Sequence, residues 1–130
     1  MRLVGPLYSG AAVGADGAAT ATSTTAVVHC GLVHAVYVQY LDSPPAGTTD
    51  VTVETAGGAH PAQTVLGIVN AATSGWFYPR VPTVSTAGAA ALYAAGGAAV
   101  NDRAAIADRV KVTVAQANAG DGVNVWLLME

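Results

Sequence analysis

Strict alternation of apolar and polar residues marks the C-terminal end of the chain. Between Arg109 and Ala115, Val110, Val112 and Val114 share one face while Lys111 and Thr113 take the other. The pattern returns at Val123, Val125, Leu127 and Met129, opposed by Asn124, Trp126 and Leu128. A period of two is the signature of a half-buried strand. The turn-forming stretch Asn118–Gly122 joins the two runs into a β-hairpin. A third alternating run, Asp50–Thr55, points Val51 and Val53 inward.

The segment Val27–Leu41 is rich in Val and Tyr, with Leu32, His34, Val36, Val38 and Tyr40 on one face and Val33, Ala35, Tyr37 and Gln39 on the other. Gly31 is the expected bend or bulge within it. The stretch Asp42-Ser43-Pro44-Pro45-Ala46-Gly47 ends it. Gln63–Asn70 reads as another strand. Trp76-Phe77-Tyr78 reads as a short aromatic one, which Pro79 confines to an edge. Across 82–106 the alanines permit a short helix at 87–95, but Gly96-Gly97 and the lack of an amphipathic stripe favour an extended loop with a short hairpin, lying against other protein.

Six or seven short strands separated by turns predict an all-β domain, an antiparallel β-sandwich of Ig-like or jelly-roll-like type, over residues 26–130. The expected core is Val36, Val38, Val51, Val53, Leu66, Ile68, Val110, Val112, Val114, Val125 and Leu127. Residues 1–25 are different. From Ser9 to Thr25 the chain is nearly all Gly, Ala, Ser and Thr, which cannot build a core alone. They read as a Gly/Ala-rich N-terminal arm, either flexible or extended against a neighbouring subunit, with Leu3, Val4, Leu7 and Tyr8 as its anchor.

Composition then changes the picture. Charged residues make up 10% of the chain, against roughly a quarter in ordinary soluble domains. A surface so poor in charge is weakly protected against association, which suggests a protein covered by other protein. The 52% apolar fraction includes 28 alanines, so the core is modest and oligomerisation is a natural remedy. Net charge is −3 and the five Lys and Arg residues are dispersed, which argues against a nucleic-acid partner. The apolar run at 87–100 is too short to span a bilayer, and no export signal is legible at Arg2–Tyr8. The expectation is synthesis in a cytoplasm and no membrane partner.

Candidate chemistry is sparse. His29 and Cys30 are adjacent and point apart on a strand, and His60 lies beyond a turn, so no zinc spacing exists. Asp42, Asp50 and Asp121 sit in turns without the dense acidic pattern calcium needs. There is no nucleophile elbow and no phosphate-cradling glycine loop. The expectations are no catalytic residue, no metal, no cofactor and no enzymatic activity. One cluster suits protein contact: Trp76, Tyr78 and Arg80, residue types enriched at interface hot spots. Carbohydrate binding through Trp76 or Trp126 is a weaker option, because no aromatic platform is legible.

Several stretches resemble one family. They are Asp42 through Val53, Gly75-Trp76-Phe77-Tyr78-Pro79-Arg80, Asp108 through Gln116, and Val123-Asn124-Val125-Trp126. Together they look like a family of small virion structural proteins of tailed bacteriophages, of the capsid decoration or cement type. The resemblance implies a protein on the outer surface of the virion capsid, bound to the major capsid protein and self-associated, as a homotrimer by analogy with decoration proteins on threefold axes. It carries no catalytic residue. A tail, collar or fibre component is the alternative within the virion. The expected interface residues are Leu3, Val4, Leu7, Tyr8, Trp76, Tyr78 and Arg80.

Overall fold

The computed structural model describes residues 1–42, 44–58 and 60–130; Ser43, within the expected break, lies outside them. Among the described residues there are eleven strands and no helix. In chain order they are β1 (Arg2–Tyr8), β2 (Ala19–Thr24), β3 (His29–Tyr40), β4 (Asp50–Thr55), β5 (Thr64–Ile68), β6 (Gly75–Phe77), β7 (Val81–Pro82), β8 (Asn101–Asp102), β9 (Ala104–Asp108), β10 (Val110–Ala117) and β11 (Val123–Met129). All named pairings are antiparallel.

Two sheets dominate. A five-stranded sheet runs β1-β11-β3-β6, with β9 pairing the first half of β3. A four-stranded sheet runs β2-β10-β4-β5. The chain crosses repeatedly between them, so β1 lies beside β11 in one sheet and β2 beside β10 in the other. A third, two-stranded sheet, β7 with β8, stands apart. Buried residues of both main sheets form a single cluster, from Val36, Val38, Val125 and Leu127 on one side to Val51, Val53, Val112 and Val114 on the other. The expected core lies in it, with Leu66 and Ile68 at its rim on edge strand β5.

Within β3 the face assignment changes partway along. Leu128 opposes Ala35 and Met129 opposes Val33, so one residue of β3 is unmatched at His34. A bulge of this kind moves the following side chains to the opposite face. Val33 therefore joins Val36 and Val38 in the core instead of facing away with Tyr37. Gly31 does not divide the strand, which is continuous from His29 to Tyr40. Its positive φ and missing Cβ leave room for the Glu130 carbonyl, which accepts a hydrogen bond from Leu32 N.

The expected arm over 1–25 is corrected by the strand pairing. Arg2–Tyr8 is paired along β11, and Ala19–Thr24 along β10. Val4 and Leu7, half-buried, pack against the core and so support the fold. The Gly/Ala stretch between the strands is held by backbone hydrogen bonds: Ser9 N to Val123 O, Ala12 N to Asp121 O, and Gly17 N to Ala117 O. Small size is what makes this work. Ala12 and Ala19 are buried where the chain crosses closely, and the backbone supplies the bonds that large side chains are not needed to make.

The segment across 82–106 forms no helix. β7 and β8 are the stem of an excursion carrying two further small hairpins, bridged at Val84–Ala90 and Leu92–Ala99. Thr83, Ala91 and Val100 bond one another in a closed triangle: Thr83 N to Val100 O, Ala91 N to Thr83 O, and Val100 N to Ala91 O.

Candidate functional site

The outward face of the five-stranded sheet collects both tryptophans and Tyr37. Register places Trp76 of β6 opposite Tyr37 of β3, and Tyr37 opposite Trp126 of β11. The three rings form a row across the sheet. Centroids of Trp76 and Tyr37 are 5.1 Å apart, those of Tyr37 and Trp126 5.7 Å apart, each pair tilted by about 50°. Leu3 of β1 joins them, and the four side chains line an open apolar pocket of ≈ 200 Å³. Trp76 is 48% exposed.

The row is preformed by the backbone beneath it. On β1 the pairing register with β11 shifts between Val4 and Leu7, at Gly5-Pro6. A Cβ on Gly5 would lie 2.8 Å from the Trp126 ring, and Gly5 also has a φ of +140°. Glycine is the residue that lets the edge strand pass so close to the indole. Beside the row lies a polar pair, Gln39 opposite Asn124, with Tyr8 opposite Asn124 on its other side. Near its other flank Tyr78, largely exposed, meets His34 edge-to-face at 6.3 Å. Arg80 donates to the carbonyls of His34 (3.1 Å) and Pro79 (2.7 Å), which fixes its side chain beside the sheet.

Five of the seven expected interface residues, Leu3, Tyr8, Trp76, Tyr78 and Arg80, thus belong to or border one surface, while Val4 and Leu7 face the core. Tyr37, the centre of the row, is not among the expected interface residues, and Trp126 carries only the carbohydrate option. Their outward positions are legible from strand alternation. Cross-strand register, which makes three separate aromatics into one surface, is not. A second exposed apolar region lies on the excursion, at Val84, Leu92 and Tyr93, with Tyr93 77% exposed.

The titratable groups are occupied with holding loops. Asp42 accepts from Gly122 N, and Asp121 from Ala46 N and Asn118 N. Asp50 accepts from Asn70 N and the Gln116 amide. Asp108 is held below the usual carboxylate range by the backbone N–H of Arg109, against opposing burial, with further N–H donors from Gly57 and Gly58. Burial, with Arg2 nearby, holds the His29 imidazole below its ordinary value. Burial and then Asp50 push the Tyr40 phenol up. Among the described residues no three His, Cys, Asp or Glu side chains gather as metal ligands would.

Charge is divided along the strands. Asp16, Asp42, Asp50 and Asp121 lie in the half that holds the β10–β11 turn, without a Lys or Arg. All five Lys and Arg residues lie in the other half with Glu54, Asp102, Asp108 and Glu130, where Lys111 pairs with Glu54 at 2.7 Å and Arg103 with Glu130. Compared with known proteins, the chain matches no family model, no curated protein and no solved structure.

Proposed function

We propose that the protein is a structural component of a tailed-bacteriophage virion, a decoration or cement protein on the outer surface of the capsid that binds the major capsid protein. The observation that carries this reading is the aromatic row: a preformed apolar surface on a chain with few charges to keep it apart from other protein. Trp, Tyr and Arg at its centre and border are the residue types that dominate protein interfaces. Strand order supports the setting. The orders β1-β11-β3-β6 and β2-β10-β4-β5 favour a jelly-roll reading over an Ig-like one. Jelly rolls recur in viral coat proteins and in lectins, an analogy of fold alone. In this role the protein acts by adding burial between capsid subunits, many weak contacts working together. It needs no catalytic residue and no cofactor.

The test is co-sedimentation with assembled capsids and with free capsid protein. Binding to the assembled lattice alone, and many copies per purified particle, is the expected result. A few copies per particle would instead indicate a tail, collar or fibre component. A second reading has one specific observation in its favour. Trp76, Tyr37 and Trp126, flanked by the Gln39 and Asn124 amides, offer stacking faces and hydrogen-bonding groups of the kind a pyranose ring uses. Both tryptophans lie in the row, so titrating the protein with oligosaccharides while following its fluorescence tests that reading directly.

A further inference from the structure

We infer that the excursion of one molecule docks on the aromatic face of a second copy of this chain, making a head-to-tail contact that repeats from copy to copy. This deepens the reading of the protein as an assembled structural component and names one partner of the aromatic face.

The excursion is built to be covered. Residues 82–100 contain no Asp, Glu, Lys or Arg. Their hydrogen bonds close on one another through Thr83, Ala91 and Val100, so the backbone is satisfied without the main sheets. Their side chains are not: Val84, Leu92 and Tyr93 all project into solvent. Hairpins this small lack the burial to hold a shape unaided. A surface that receives them supplies it.

The aromatic face is the matching receptor. Its pocket is lined by no charged residue, and Arg80 stays at the border on the His34 and Pro79 carbonyls, so docking strands no ion in the dry centre of the contact. Its pocket is an apolar concavity lined by Leu3, Tyr37, Trp76 and Trp126, of a size for one large apolar side chain. The excursion offers two exposed side chains of that kind, Leu92 and Tyr93, consecutive in the chain. No residue of the excursion lines the pocket of its own chain. Knob and pocket are different surfaces of one molecule, so the contact is heterologous. Such contacts close into rings when the rotation allows and grow as filaments when it does not.

The experiment uses the isolated full chain and no capsid. Sedimentation velocity of the wild type at micromolar to submillimolar concentration is expected to show concentration-dependent association. Trp76→Ala spoils the pocket, and the double variant Leu92→Asp, Tyr93→Asp spoils the knob. All three positions are exposed, so each variant keeps the β-sheet spectrum, and each is expected to sediment as a monomer. An equimolar mixture of the two variants retains one good knob and one good pocket. It is expected to form a one-to-one complex that neither variant forms alone. A monomeric wild type, an oligomeric Trp76→Ala, or an assembled wild type whose variant mixture stays monomeric would each overturn the inference. Capsid binding is measured separately, so a decoration protein that coats particles without self-association would retain the proposed function and lose only this contact.

Discussion

The two main sheets share one core and differ in what they show to the outside. Across β11, β3 and β6 the outward row is Trp126, Tyr37 and Trp76; across β2, β10 and β4 it is Thr22, Thr113 and Thr52. Both rows suit a pleated strand. Threonine leaves a hydroxyl that water or a neighbour can bond, as Thr22 does with Thr113 at 3.4 Å. Aromatic rings in the same positions leave apolar area in water until something covers it. Inward residues are dictated by the core on both sheets. Outward residues are free of that demand, and only one sheet uses the freedom to build a contact surface.

Removing what the sheets share should erase the comparison. Val112→Asp places a charge at the 1%-exposed centre of β10, at a cost of several kcal/mol, and should abolish the cooperative thermal transition and the β-type circular dichroism. Deleting residues 1–8 should also lower the melting temperature sharply, because β11 loses its edge partner and Val4 and Leu7 leave the core. A free arm would come away without effect. Gly5→Ala is smaller, about 1–3 kcal/mol by chemical denaturation, since a strained backbone is combined with a clash against Trp126. It should also shift the tryptophan emission, which a change on the threonine face would not do.

Acid acts on one end of the molecule, where His29 and Asp108 oppose each other in the β3–β9 register. Asp108 has a lowered folded-state pKa, so its contribution is present at neutral pH and is lost as pH falls below the unfolded carboxylate value of about 4. His29 is lowered as well, so the unfolded chain takes up that proton first and stability declines from about pH 6.5 downward. Denaturation across pH should flatten below pH 4 in Asp108→Asn and between those values in His29→Gln. The smallest effect belongs to the threonine face. Lys111→Ala should cost less than about 1 kcal/mol and the loss should shrink with added salt, because its pair with Glu54 remains partly exposed.

What was legible in the sequence followed from local periodicity. Val110, Val112 and Val114 declare their faces at a spacing of two, and β10 and β11 form where alternation predicts them. The bulge at His34 was illegible because it exists only in the pairing with β11, and it moved Val33 into the core. The Gly/Ala stretch was misread for a related reason. Its order comes from backbone bonds to Ala117, Asp121 and Val123, partners about a hundred residues away that leave no mark on local composition. The candidate site was half legible: Trp76-Phe77-Tyr78 stands out by itself, while Tyr37 gains its meaning only from neighbours on two other strands.

The division of charge along the strands has a consequence for how the molecule approaches anything charged. With four carboxylates in one half and every cation in the other, the protein is an electric dipole whose axis follows the sheets. Near a surface of negative potential the carboxylate end turns away and the cationic end leads, before any side chain touches. That torque acts over about one Debye length, roughly 8 Å at physiological ionic strength, and fades as salt is added. Orientation at first encounter is therefore set by the loops that cap the strands, while the choice of partner is left to the faces between them.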